Sequence, residues 1–269
     1  QDAIKELAPT MAKVSAERIQ VELVKLLTSD HPEMMRNLYE LGLTKVFMPE
    51  FDTMMETPQN NKHHMYSVGE HTIHTLMNVR ADKVLRLTML LHDVAKPVCI
   101  TTDEHGQNHF KKHPAVGADM AKKILRRLKF DNKTIDICCT LVREHDDRPV
   151  ITQSNVRRAM SRIGVDLFPL LFEVKRADML GQSLYKRDEK MAYIDEYERV
   201  YNDILAQNQC VSKKDMKING KDLIALGVEP GQKLGAILDR LYEMVLDDPK
   251  LNDRKKLIEH ANKIISTLI

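Results

Sequence analysis

The chain has 269 residues, 43% hydrophobic and 30% charged, with 41 basic and 39 acidic residues for a net charge of +2. This balance excludes a disordered polyelectrolyte and a global basic field, so any nucleic-acid surface must be a local patch. Aromatic residues make up only 5%, Trp is absent, and Gly and Pro number ten each, a composition that favours helices.

In chain order, residues 1 to about 50 read as helices. Ile4, Leu7 and Met11 keep helical spacing, with Pro9 a break or a first-turn residue. Ser15 stands where an N-cap belongs, with Arg18 in place of the Glu or Gln of a capping box. Ile19, Leu23 and Leu26 or Leu27 form the apolar face behind it. Met34, Leu38 and Leu41 give a short helix that Gly42 ends, and the run from Lys45 to Phe51 is expected to pass through Pro49 into a loop. Glu56 to Tyr66 has no period and is expected to be a loop, with His63 and His64 solvated in it. From Val68 to about Arg80 a helix carries His71 and His74 one turn apart on one face. Asp82 caps the next helix, apolar through Leu85, Leu87, Leu90 and Leu91, which delivers His92 and Asp93 side by side with Lys96 three residues on. Buried charge at such a place costs several kcal/mol unless it is paired or metal-bound, and neutral His and ionised Asp both ligate divalent cations.

Beyond Pro97, thirteen residues alternate loosely and turn at His105-Gly106, as a short β-ribbon or an irregular loop. His113-Pro114 opens a helix. Its expected apolar face is Val116, Met120, Ile124 and Leu128, with Lys122, Lys123, Arg126 and Arg127 outside. Asp131 or Asn132 caps a helix with Ile135, Cys138, Leu141 and Val142 on one face, ending near His145. Thr152 or Ser154 starts another, with Val156, Met160 and Ile163, ended by Gly164. A helix is expected from Asp166 to Tyr185 with Asp178 near its far end, and a charged one from Tyr193 to about Ala206. In the tail, Asn219-Gly220 makes a turn before a short helix that Gly227 ends. A longer helix from Lys233 to Leu246 turns Leu234, Ile237, Leu238, Leu241 and Val245 inward, and a last one starts near Asp253.

Cys99, Cys138, Cys139 and Cys210 form no CxxC pair, so reduced intracellular thiols are expected. No signal peptide and no uncharged apolar run near 18 residues are found, which points to the cytoplasm and to no membrane partner. The chain begins with Gln, as one that starts inside a longer protein does.

His71, His92, Asp93, His113, His145 and Asp178 fall at or near helix ends, with 20, 19, 31 and 32 residues between successive groups. Single ligands on successive helices converge only where a bundle brings those ends together. The order H…HD…D, with HDVAKP around the dyad, resembles the HD superfamily of metal-dependent phosphohydrolases. YSVGEHTIHTL, LLHDVAKP, HFKKHPAVGADMAKKILRRLKF, LVREHD and RADMLGQS follow one another as in the HD domain of bacterial tRNA nucleotidyltransferases, the CCA-adding and poly(A) polymerase family. ELAPTMAKVSAERIQVELVKLLTSDHP is similar to that family's RNA-binding body, and VSKKDMKINGKDLIALGVEPGQKLGAILDRL to its C-terminal arm.

The resemblance implies an all-α multi-helix bundle with an HD-domain core and helical extensions. It implies a body over residues 1–60, an HD domain over 61–188 and a tail over 189–269. His71, His92, Asp93 and Asp178 match the metal ligands, for Mg, Mn, Ni, Fe or Zn. Asp93 and Lys96 are the catalytic candidates, Lys96 meeting a phosphate oxygen, while His113 and His145 either hold a second metal or contact phosphate. His74 is expected to support the site or the fold. The expected substrates are 2′,3′-cyclic or nucleotide phosphates at RNA ends, and the expected partner is tRNA or an RNA 3′ end. Lys122, Lys123, Arg126 and Arg127, with Lys129, form one candidate RNA-binding face, and Arg157 and Arg158, with Arg162, another. Lys221 precedes and Lys233 lies within LGVEPGQKLG, which resembles a helix–hairpin–helix. The family's nucleotidyltransferase head, with its strand-borne Asp-x-Asp, has no counterpart among these residues, so this chain is expected not to add nucleotides. A stand-alone HD phosphohydrolase and an RNA-binding scaffold with a vestigial site are the alternatives, and a dimer is compatible with the helical tail.

Overall fold

Apolar residues at helical spacing make helices along most of the chain, and the computed structural model describes residues 2–60, 63 and 65–267. His64, expected in the loop before the first histidine-bearing helix, lies outside the described residues. The fold is all-α apart from one short ribbon. Its helices are α1 (Asp2–Leu7), α2 (Ala16–Leu27), α3 (Met35–Glu40), α4 (Thr44–Phe47), α5 (Pro49–Glu56), α6 (Val68–Met77), α7 (Lys83–Leu91) and α8 (Lys96–Cys99). After the ribbon β1 (Thr101–Thr102) and β2 (Asn108–His109) come α9 (His113–Arg127), α10 (Asn132–Glu144), α11 (Gln153–Ile163) and α12 (Phe168–Gly181). The chain ends with α13 (Arg187–Ala206), α14 (Gly220–Ala225), α15 (Gln232–Asp247) and α16 (Arg254–Thr267). The chain divides into two units, Gln1–Arg148 with Leu167–Ile194, and Pro149–Asp166 with Asp195–Ile269.

In the first unit α6, α7, α10 and α12 pack around one core, with α9 along α10 and α5 against α6. Side-chain caps fix where several of these helices start. Asp82 accepts from the amides of Val84 and Leu85, Asp131 from Thr134, and Ser67 from Glu70. Ser15 occupies the N-cap position of α2 but its hydroxyl makes no capping bond. Two glycines allow close approach. A Cβ on Gly69 would lie 2.7 Å from the Met55 backbone, and one on Gly181 would lie 2.7 Å from Thr75 Cγ2 and 3.2 Å from the His71 ring.

Three local expectations are corrected. Lys45 to Phe51 does not run into a loop: Pro49 takes the first position of α5, where no amide is needed, and Phe51 and Met54 are buried. The buried face of α9 is Gly117, Ala118, Ala121, Ile124 and Leu125, not the stripe through Val116 and Met120, because small residues let α10 approach closely. The helix bearing Asp178 starts at Phe168 after a 3-10 turn over Val165–Leu167 and stops at Gly181. Ile4 and Leu7 keep helical spacing but are 46% and 60% exposed.

The ribbon pairs Thr101 with His109 and Thr102 with Asn108. Its turn is closed by Asp103, whose carboxylate accepts from the amides of His105 and Gln107. In the second unit a separate core forms from Ile218, Leu223, Ile237, Leu241, Val245 and Leu257 among others, with Leu234 and Leu238 partly buried against it. No helix among the described residues is long and apolar enough to cross a membrane.

Candidate metal centre

The six ordered His and Asp residues come together inside the first unit, all buried. His71 comes from the first turns of α6, His92 and Asp93 follow the C-terminus of α7, and His113 opens α9. His145 follows α10, and Asp178 lies in the last turn of α12. They form two triads, His71–His92–Asp178 and Asp93–His113–His145, each with ligating atoms within 4.8 Å of one another.

Asp93 joins the triads. Its Oδ2 lies 3.2 Å from His92 Nε2 and 3.5 Å from His71 Nε2, and its Oδ1 lies 3.3 Å from His113 Nε2 and 3.7 Å from His145 Nε2. Both oxygens are buried, and neither makes a well-aligned hydrogen bond among the described residues. Asp178 Oδ1 sits 3.0 Å from His71 Nε2, while its Oδ2 accepts from Gln182 Nε2 at 3.0 Å.

Each imidazole is oriented the same way. Nδ1 donates to a backbone carbonyl: His71 to Gly181 at 3.1 Å, His92 to Met89 at 2.7 Å, His113 to Phe110 at 2.8 Å and His145 to Val142 at 2.6 Å. These tautomers are assigned from the hydrogen-bond network. With Nδ1 committed to a carbonyl, Nε2 is the atom that each ring turns into the cluster. The Nε2 atoms of His71 and His92 face each other at 3.2 Å, as do those of His113 and His145. A divalent cation beside each pair would take both Nε2 atoms as ligands in place of protons.

The electrostatics ask for the same positive charge. Burial pulls the His92 imidazolium down, but Asp93 and Asp178 push it up to about 10. Burial raises Asp93, yet His92 and Lys96 outweigh it and hold the carboxyl well below the usual carboxylate range. Asp178 is held low in the same way by His71 and His92 against its burial. Burial holds His145 below its ordinary value, in the neutral form that ligates. The mixed N/O donor set therefore fits a divalent cation, and Asp93 has one oxygen for each triad.

Lys96 is buried beside the cluster, its Nζ 2.7 Å from Asp93 Oδ2 and donating to Gln59 Oε1 at 2.8 Å. A cleft of about 470 Å³ opens onto the cluster, lined by Lys96, Phe110, Lys111, Lys112, Arg148 and His63 among others. His74 is not in the cluster, and its ring stacks on Tyr66 at 4.2 Å. Gln59 and Lys175 stand outside the quoted motifs, and Gln182 lies inside RADMLGQS without a spacing that marks its role. The one signal is for Lys175, a lysine on the apolar face of α12 a turn before Asp178. Burial pulls it down to about 8 against the pull of Asp146 and Asp147.

The basic candidates separate. Lys122, Lys123 and Arg126 are exposed on α9, Lys129 lies just beyond it, and Lys221 and Lys233 are exposed on α14 and α15. Arg127 forms a two-pronged ion pair with Glu50, at 2.9 and 2.7 Å. Arg157 is buried and donates to the carbonyls of Leu246 and Asp247 and to Gln209, so it is not part of an exposed basic face. Arg158 pairs with Glu243 and Asp247.

Two family models match the chain. Residues 1–55 match one described as "Probable RNA and SrmB- binding site of polymerase A", and residues 114–261 match "tRNA nucleotidyltransferase domain 2 putative". A CC-adding tRNA nucleotidyltransferase of Thermus thermophilus is 32% identical over 235 residues, 84% of this chain and 52% of that protein. An A-adding tRNA nucleotidyltransferase of Deinococcus radiodurans is 31% identical over 236 residues, 84% of this chain and 54% of that protein. A bifunctional uridylyltransferase/uridylyl-removing enzyme of Ruegeria pomeroyi is 30% identical over 153 residues, 48% of this chain and 15% of that protein. The chain thus spans about half the length of the two nucleotidyltransferases it matches.

Proposed function

The chain belongs to the tRNA nucleotidyltransferase family, and on that premise we propose that it is the RNA-binding body, HD domain and tail of a cytoplasmic tRNA CCA-adding enzyme. The body takes residues 1–60, the HD domain 61–188 and the tail 189–269. The buried His/Asp cluster is then a metal-dependent phosphohydrolase site acting on phosphates at RNA 3′ ends, 2′,3′-cyclic phosphates among them. The observation that carries this reading is the convergence of four histidine Nε2 atoms on the carboxylates of Asp93 and Asp178. The name of the Ruegeria relative, an enzyme that removes uridylyl groups, supports a removing reaction at this domain.

A bound divalent cation supplies polarisation of a phosphoryl oxygen and a bound water of lowered pKa. His71, His92 and Asp178 would hold one cation and Asp93, His113 and His145 a second. The second cation is preferred to a direct phosphate contact because Nε2 of His113 and Nε2 of His145 lie 3.2 Å apart and both approach Asp93 Oδ1. Lys96, fixed by Asp93 and Gln59, has a third N–H for a phosphate oxygen at the cleft. Gln182 occupies one oxygen of Asp178 and so directs the other to the cation. Exposed Lys122, Lys123 and Arg126, with Lys221 and Lys233 on the tail, meet tRNA phosphates, where recognition is by shape and charge.

The test is hydrolysis of a 2′,3′-cyclic nucleotide with Mg, Mn, Ni or Zn, wild type beside Asp93→Ala. Activity that requires a metal and is lost in the variant is expected. Absence of hydrolysis with every metal, in folded protein that binds tRNA, would leave an RNA-binding body whose cluster is structural.

A further inference from the structure

We propose that Lys175 is a positioning residue for the His113–His145 half of the cluster, and that without it the protein keeps one cation and loses its hold on the second. This inference rests on the two-cation reading above.

Lys175 lies on α12 one turn before Asp178, and only 6% of it is exposed. Its Nζ donates to the carbonyls of Glu144 at 3.2 Å, His145 at 2.9 Å and Asp147 at 2.6 Å. An ammonium has three donors, so all three go to main-chain oxygens, and none to a carboxylate. Burying a charge this way is costly, and a Met of similar length would fill the same space on an apolar helix without that cost. The ammonium instead completes the C-terminus of α10, where the last carbonyls have no intrahelical partner and the helix dipole is negative.

His145 is the first residue beyond α10, so the bond to its own carbonyl fixes its backbone where the ring leaves the helix. The ring itself is steadied through Nδ1 on Val142. The other triad is built from different groups: Gly181 and Met89 carbonyls orient His71 and His92, and Gln182 orients Asp178. None of these groups makes a hydrogen bond to Lys175 among the described residues. One helix therefore supplies a ligand to one triad and the scaffold of the other. Loss of the ammonium should release His145 while leaving His71, His92 and Asp178 in place.

The test uses the full chain and Mn²⁺ alone, with metal content and binding isotherms measured beside the electron paramagnetic resonance spectrum. Wild type is expected to bind two Mn²⁺ with the signature of a spin-coupled pair. Lys175→Met is expected to keep one site of unchanged affinity, to weaken the other about tenfold or more, and to give the spectrum of isolated Mn²⁺. If Lys175→Met does not fold, Lys175→Gln in the same assay decides. Two sites of unchanged affinity in the variant, or both sites weakened in parallel, would overturn the positioning role. Failure of wild type to bind Mn²⁺ at all would instead overturn the metal reading, and a single Mn²⁺ in wild type would overturn the second site.

Discussion

At the scale of single residues, the chemistry turns on which atoms are already spoken for. Each of the four clustered histidines has committed Nδ1 to a backbone carbonyl, and Asp178 has committed one oxygen to Gln182. What is left points inward. Gln59 plays the matching part for Lys96. Replacing it with Leu removes the acceptor of a buried ammonium, which costs about 1–3 kcal/mol. Gln59→Leu should lower stability by that amount in urea unfolding and slow hydrolysis about tenfold with metal content unchanged. A change in metal content would mean that Gln59 supports the ligands and not Lys96. None of this could be read from Gln59 in sequence, because it stands in an aperiodic loop far from the residues it serves.

At the scale of elements, the close approach of α6 and α12 depends on Gly181. Its carbonyl receives His71 Nδ1, and a Cβ there would press on Thr75 and on the His71 ring. Gly181→Ala is therefore expected to weaken the His71–His92–Asp178 site about tenfold or more in metal titration, with the fold retained by circular dichroism. Unchanged affinity would show that the ring can shift without cost. In the second unit α11 is tied to α15 through Asp247, which accepts from Arg158 at 2.8 Å and from Ser154 at 2.8 Å. Those bonds hold its carboxyl down to about 2. The folded value lies below the unfolded value of about 4, so the stabilisation is present above about pH 4 and is lost as pH falls toward 2. The melting temperatures of wild type and Asp247→Asn should differ at pH 7 and converge between pH 4 and 2. A difference independent of pH would remove Asp247 from the account. The gap should be small, since both partners are exposed and solvent screens them.

At the scale of the whole molecule, a net charge of +2 leaves RNA binding to local patches. Changing Lys122, Lys123 and Arg126 together to Glu should weaken tRNA binding and flatten its salt dependence by about one unit of slope per lost phosphate contact. An unaltered slope would exclude that face. The helical class, the cap at Asp82, a cap at Asp131 or Asn132, and the ordered set of six His and Asp residues were all legible in the chain. Each rests on short-range chemistry: helical period, an oxygen beside free amides, a polar pair ending an apolar run. The division of those ligands into two triads with Asp93 between them was not legible. Nor was the removal of Arg157 from the surface, the small-residue face of α9, or the service of Gln59, Gln182 and Lys175. These depend on which helix ends meet, and residues 107 positions apart are in contact at His71 and Asp178. Sequence period fixes which side of a helix is apolar, but only packing decides what that side meets and where each spare lone pair points.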